Sequence, residues 1–218
     1  MSNQRGPIFT ASDLQSIRYN ENGESLVNLK EICPDILCDY RRNDSNLDII
    51  LVRKSIVDRL QKVQRHLTLY DASMRLLVVE GYRSPTYQER YYLKQLLIQH
   101  ENHPTMDFEL LLEHVHQFVA LPSVAGHPTG GAIDLTIVFE GQEIDMGGEI
   151  ADFSIPERLS THSLLVNPEQ AQRRLLLHDL MLGEGFAAFY GEWWHFSYGD
   201  REWAAFYNKP EALYSPIF

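Results

Sequence analysis

Eight residues, Ala132 to Phe139, restrict the fold more than any other stretch of the chain. Read alternately, they put Ile133, Leu135, Ile137 and Phe139 on one face and Ala132, Asp134, Thr136 and Val138 on the other. A strand with one wholly apolar face must be covered by a second layer, so the segment predicts a sheet with a core packed on it. The opposite face carries Asp134, an acid interrupting an otherwise good strand. The turn just before it, Gly126-His127-Pro128-Thr129-Gly130-Gly131, presents a histidine seven residues from that carboxylate. A loop imidazole beside a strand carboxylate makes half of a metal site.

The flanking pattern sets the class. Met74 to Val79 is nearly continuous and apolar, which predicts a central strand buried on both sides. It runs into Glu80-Gly81-Tyr82-Arg83-Ser84-Pro85, where Ser84 and Pro85 can start a helix as N-cap and first residue. From Lys54, the spacing of Ile56, Leu60, Val63 and Leu67 predicts an amphipathic helix. Further helices are expected over Pro85 to His100, over Asp107 to Val119, and from Asn167-Pro168, the last with Ala171, Leu175 and Leu182 on its core stripe. Ser25 to Lys30 reads as a short strand, residues 31–48 as a long loop, and residues 1–24 as an irregular lead-in to one domain spanning 25–218. Strands and helices mix without strict β-α-β alternation, so the expected class is α+β.

Charge removes several function classes. The sequence has 19 basic against 30 acidic residues and a net charge of −11. Nucleic acid and anionic membrane surfaces both call for a basic face, so neither is expected as a partner. No segment is apolar and long enough to span a bilayer, and no signal-like run follows Met1, which predicts a cytoplasmic protein. Cys33 and Cys38 are too few for a disulfide framework and are read as structural thiols.

The other half of the site lies near the C-terminus. Over Tyr190 to Tyr198, strand alternation puts Trp194, Phe196 and Tyr198 on one face and Trp193, His195 and Ser197 on the other. Glu192 and His195 converge only if Glu192 lies in the turn after Gly191 or at a bulge. His127, Asp134 and His195 then form a three-ligand set with an open fourth position, the arrangement of a catalytic zinc centre. Hydrolysis also needs a base near the metal that does not ligate it, and Glu192 has that character. Arg83, at the end of a buried strand, can stabilise an oxyanion. His114 and His116 are two apart on a helix, do not share a face, and are read as surface residues. His100 and His103 are expected to interact with a helix C-terminal dipole.

Glu80-Gly81-Tyr82-Arg83-Ser84-Pro85, His127 through Asp134-Leu135-Thr136, and Glu192-Trp193-Trp194-His195 together resemble the D-alanyl-D-alanine dipeptidases. These are zinc peptidases related to D,D- and L,D-carboxypeptidases. The resemblance extends in order from about Leu26 to Tyr198 and takes in Asp145-Met146-Gly147, Ser160, His162 and the Arg173-Arg174-Leu175-Leu176 helix. It implies an α+β domain with a central, mainly antiparallel sheet flanked by helices. It also implies one Zn2+ per chain on His127, Asp134 and His195, Glu192 as proton donor and acceptor, Arg83 as transition-state stabiliser, and a small D-amino-acid dipeptide as substrate. Three positions depart from the family pattern. Ala125 stands where a serine is usual, Glu31 where vancomycin-resistance members have a tyrosine, and Asp152 matches a substrate-binding acid only with a one-residue shift. The alternatives are a carboxypeptidase acting on peptidoglycan stem peptides, or an inactive zinc-stabilised binding module.

Overall fold

The computed structural model describes residues 6–40 and 48–218. In chain order the elements begin with helix α1 (Ala11–Gln15), strand β1 (Arg18–Tyr19), strand β2 (Leu26–Asn28), helix α2 (Leu29–Ile32) and strand β3 (Leu37–Cys38). Strand β4 (Leu51–Arg53) leads into helix α3 (Lys54–Tyr70), then strand β5 (Met74–Glu80) and the helical pair α4 (Pro85–Asn102) and α5 (Phe108–His116). A 3-10 turn at His127–Thr129 precedes strand β6 (Ala132–Phe139) and strand β7 (Gln142–Glu143). The chain ends with helix α6 (Pro168–Gly183), strands β8 (Ala187–Ala188) and β9 (His195–Ser197), helix α7 (Arg201–Phe206) and strand β10 (Glu211–Ala212).

The main sheet has the order β3-β5-β6-β9-β8, with β7 paired to β6. Only β3 runs parallel to its neighbour; every other pairing in this sheet is antiparallel. The α+β reading and the mainly antiparallel sheet both hold. β6 is the sheet's centre, and its seven residues Ala132–Val138 are all buried. Both faces are therefore covered, including the one bearing Asp134. α3 packs on β5 through Ile56, Leu60, Val63 and Leu67, the stripe its spacing predicts. Each of those four side chains is fully inaccessible to solvent.

Local chemistry accounts for the helix starts. Ser84 accepts from the Tyr87 amide with Pro85 at the first position, and Asp107 caps α5. Asn167 and Gln170 form a reciprocal capping box on α6. α4 and α5 pack on each other with a small core of their own, Tyr92, Leu111, Val115 and Val119.

Several readings need correction. Residues 1–24 are not wholly irregular: Thr10 and Asp13 build a capping box for α1, and β1 pairs in parallel with β10 at the opposite end of the chain. The 31–48 stretch contains the end of α2 and the strand β3; part of it, residues 41–47, lies outside the described residues, as do residues 1–5 of the lead-in. On α6 the buried face is Arg174, Leu177, His178 and Met181, while Leu175 is exposed. An apolar count misplaces that stripe because Arg174 is inside. Its guanidinium donates to the carbonyls of Met146, Arg158 and Ser160, so hydrogen bonds offset its burial.

Candidate metal centre

Three adjacent strands bring the central groups into one row. In the pairing register, Glu80 of β5 lies opposite Asp134 of β6, and Asp134 lies opposite His195 of β9. The β5–β6 register shifts between Val78 and Glu80. Such a bulge re-aims the side chain that follows it, here turning Glu80 into the row of Asp134. Directly opposed residues on one face have Cβ atoms about 4.5–5.5 Å apart. His195 and Asp134 meet accordingly, with Nδ1 of the ring 2.9 Å from Oδ1 of the carboxylate.

His127 arrives from the other side, on the 3-10 turn. Its Nε2 is 3.5 Å from Asp134 Oδ2, and its ring lies 5.0 Å from that of His195, tilted by 70°. Its Nδ1 is 2.7 Å from the carbonyl of Gly81. A carbonyl only accepts, so Nδ1 carries the proton and Nε2 presents its lone pair to the site. Gly81 tolerates no side chain here: a Cβ would lie 2.5 Å from the Leu51 carbonyl oxygen. The turn closes at Gly130, whose φ of +73° is left-handed and suits glycine. One donor atom from each of His127, Asp134 and His195 lies within 4.8 Å of the others. Two imidazoles and one carboxylate, mutually that close, with His127 and Asp134 buried and His195 partly so, fit a zinc ion with an open position.

Arg83 and Glu192 flank this group. Arg83 donates to both carboxylate oxygens of Glu80, 2.7 Å for its Nε, and to Gln88 Oε1 at 2.9 Å. Gln88 is itself anchored by its amide on the Ala120 carbonyl, and the Tyr91 ring lies 5.0 Å from the guanidinium. The cation is fixed on a rigid frame, as an oxyanion stabiliser must be. Glu192 sits in the turn before β9, its amide bonded to the Phe189 carbonyl. The expected turn placement is therefore correct. The expected strand alternation is not, because β9 begins only at His195. Trp193 and Trp194 precede it, both buried with rings at 90° to each other, and Trp194 shares the cavity wall with His195.

The electrostatics follow from burial and charge. Burial opposes ionisation of Asp134, but the two imidazoles outweigh it and hold its carboxyl well below the usual range. Burial pushes Glu192 up to about 8, with Asp134 adding to the shift and His195 opposing it. Burial alone would lower His195, yet the bond to Asp134 and the charges of Asp134, Glu202 and Glu192 raise it to about 9. These are the properties of the site without a metal ion.

The five residues enclose one end of a cavity of about 80 Å³. Phe9 and Leu14 from the N-terminal segment, Phe118 and Val119 beyond α5, and Phe153 and Phe189 complete an apolar wall.

Residues 26–212 match the family described as D-ala-D-ala dipeptidase. The chain belongs to that family. It is 31% identical over 182 residues to the D-alanyl-D-alanine dipeptidase of Synechocystis sp., covering 73% of each chain. The D-alanyl-D-alanine dipeptidase of Escherichia coli is 40% identical over 73 residues, 33% of this chain and 37% of that protein. Among solved structures, the LD-carboxypeptidase LdcB is similar at 19% identity and a TM-score of 0.48, over 89% of this chain and 79% of that one. The protein is thus a metallopeptidase of the dipeptidase family.

The remaining expectations fare unevenly. Asp152 is exposed and is not among the cavity-lining residues, although its neighbours Ala151 and Phe153 are; its carboxylate accepts from the Ser154 amide. Ala125 lines the cavity, whereas Glu31 is exposed on α2 beside Asn28. His116 is not a surface residue. It is buried, accepts from the Leu121 amide at 3.0 Å and lines the cavity. The sequence reading missed Glu80, Gln88 and Glu202. Glu80 and Gln88 could have been suspected from their spacing of three and five around Arg83, but Glu202 carried no signal. No helix among the described residues is long and apolar enough to cross a membrane.

Proposed function

We propose that the protein hydrolyses D-alanyl-D-alanine to two molecules of D-alanine, with one zinc ion per chain held by His127, Asp134 and His195. The observation that carries the reading is the convergence of that donor set with Glu192 and Arg83 on one small cavity, in a chain of this family. When bound, zinc supplies a water acidified towards neutral pH and polarises the scissile carbonyl. Glu192 takes the proton from the attacking water and delivers it to the departing amine, roles suited to a buried carboxylate whose affinity for protons is raised. Arg83 faces the carbonyl oxygen as negative charge develops on it, and Glu80 and Gln88 keep the guanidinium from reorienting. A cavity of about 80 Å³ suits a dipeptide better than a long chain. We place the activity in the cytoplasm, where free dipeptide rather than assembled wall is the available substrate.

The test is product analysis. Zinc-loaded protein is incubated separately with D-alanyl-D-alanine, L-alanyl-L-alanine and a stem pentapeptide ending in D-alanyl-D-alanine. Release of D-alanine from the first alone is expected. Cleavage of the pentapeptide without cleavage of the free dipeptide would make the protein a carboxypeptidase instead.

A further inference from the structure

The stretch that matches the family begins at residue 26, yet two residues ahead of it line the cavity: Phe9, just before α1, and Leu14, on that helix. Leu14 is buried and Phe9 half-buried. With Ala11 and Val124 they form a small apolar cluster of their own, apart from the main core. Val124 and the neighbouring Ala125 line the same cavity, so the cluster is a continuous piece of its wall.

Both ends of this wall are tied down. At the far end, Arg201 of α7 donates to the Ile17 carbonyl at 2.8 Å and to the Ser123 carbonyl at 3.0 Å. The Gln15 side-chain amide reaches the Ser123 hydroxyl at 3.3 Å. At the near end stands His116. Its Nδ1 accepts from the Leu121 amide at 3.0 Å, so the ring proton sits on Nε2, which donates to the Phe9 backbone. Burial holds this imidazole below its ordinary pKa, so both bonds are made by the neutral ring at pH 7. His116 therefore joins the loop after α5 to the N-terminal segment through one ring.

A fixed apolar wall beside a metal centre sets how much substrate the cavity takes. D-alanyl-D-alanine has only methyl side chains, and a single methylene in an apolar pocket changes kcat/KM by about 10–200-fold. We infer that Phe9 and Leu14 are specificity-determining residues that restrict the substrate to small side chains, with His116 as the positioning residue that holds them in place. The inference rests on the dipeptidase reading and deepens it. It assigns the size limit to a segment outside the part of the chain shared with the family.

The experiment measures kcat/KM for D-alanyl-D-alanine, D-leucyl-D-alanine and D-alanyl-D-leucine in zinc-loaded wild type, F9A, L14A and H116A, with zinc content and circular dichroism recorded for each. The wild type is expected to favour D-alanyl-D-alanine over both leucine dipeptides by tenfold or more. F9A and L14A should each raise the relative kcat/KM of at least one leucine dipeptide tenfold or more, with zinc content unchanged. H116A should shift the ratio the same way, whereas a merely structural role would lower all three rates together. If L14A fails to fold, F9A carries the test, since its side chain is only half-buried. A wild type that cleaves all three alike, or ratios unaltered in F9A, overturns the inference. Ratios altered in F9A but not in H116A overturn the positioning role of His116. Wild-type protein that releases no D-alanine from D-alanyl-D-alanine overturns the hydrolysis reading, and this inference with it.

Discussion

Glu192 combines deep burial with a role that requires ionisation. Without metal its carboxyl is pushed up to about 8 by burial, with Asp134 contributing, so at neutral pH it holds a proton that the unfolded chain, at 4.5, has lost. Raising the pH through that window therefore favours the unfolded state. His195, raised to about 9, acts in the same direction above its ordinary value of 6.5. The metal-free wild type should lose thermal stability steadily from about pH 4.5 to 9, and Glu192→Gln should show a shallower fall. Parallel melting curves for the two proteins would refute this account. With zinc, the same substitution should lower kcat by about 10²–10⁴-fold, the usual contribution of a general acid–base group, while zinc content stays at one per chain. Turnover near the wild-type rate would rule out Glu192 as the base. At this scale His127, Asp134, His195, Glu192 and Arg83 were all legible, because each is a chemically unusual residue in a constrained turn or strand. Glu202 was not, because an acid in the first turn of a helix looks like any favourable dipole contact.

At the scale of elements, helix starts were easier to read than the interior faces. Asn167 with Pro168 marks the beginning of α6 from sequence alone, and the structure adds the reciprocal bond from Gln170. Asn167→Ala should cost about 1 kcal/mol, or roughly 2–4 °C in Tm for a domain of this size, without changing kcat/KM. A Tm within error of wild type would mean the capping box contributes nothing. The buried face of the same helix was misread because Arg174 lies inside, held by three carbonyls that come from distant turns. Similarly, β9 is shorter than its aromatic alternation suggests. Its pairing with β6 starts at His195, and a strand's extent depends on its neighbour as much as on its own pattern.

For the whole molecule, the candidate metal centre joins segments more than 60 residues apart, since His127 and Asp134 meet His195 only through the folded sheet. Zinc bound to the native state alone should add about 2.7 kcal/mol at a free concentration a hundred times its Kd, equivalent to roughly 5–11 °C in Tm. A chelator should remove that increment and activity together, and added zinc should restore both. Chelation that abolishes activity with no change in Tm would show that the ion does not stabilise the fold. The N-terminal segment takes part at this scale too: β1 pairs with β10, and Phe9 and Leu14 reach the cavity wall, so residues expected to be a loose lead-in help close the site.

The sequence by itself determined the α+β class, the central strand, most helix starts and the five candidate residues that meet at the cavity, because periodicity, turn chemistry and metal-ligand type are local properties. The tertiary structure decided what depends on register and packing. A bulge in β5 carries Glu80 opposite Asp134, burial turns Arg174 and His116 inward, and the cap on α7 brings Glu202 to the cavity while Asp152 stays outside. Those outcomes depend on which distant segments come into contact, and no single stretch of the chain encodes that.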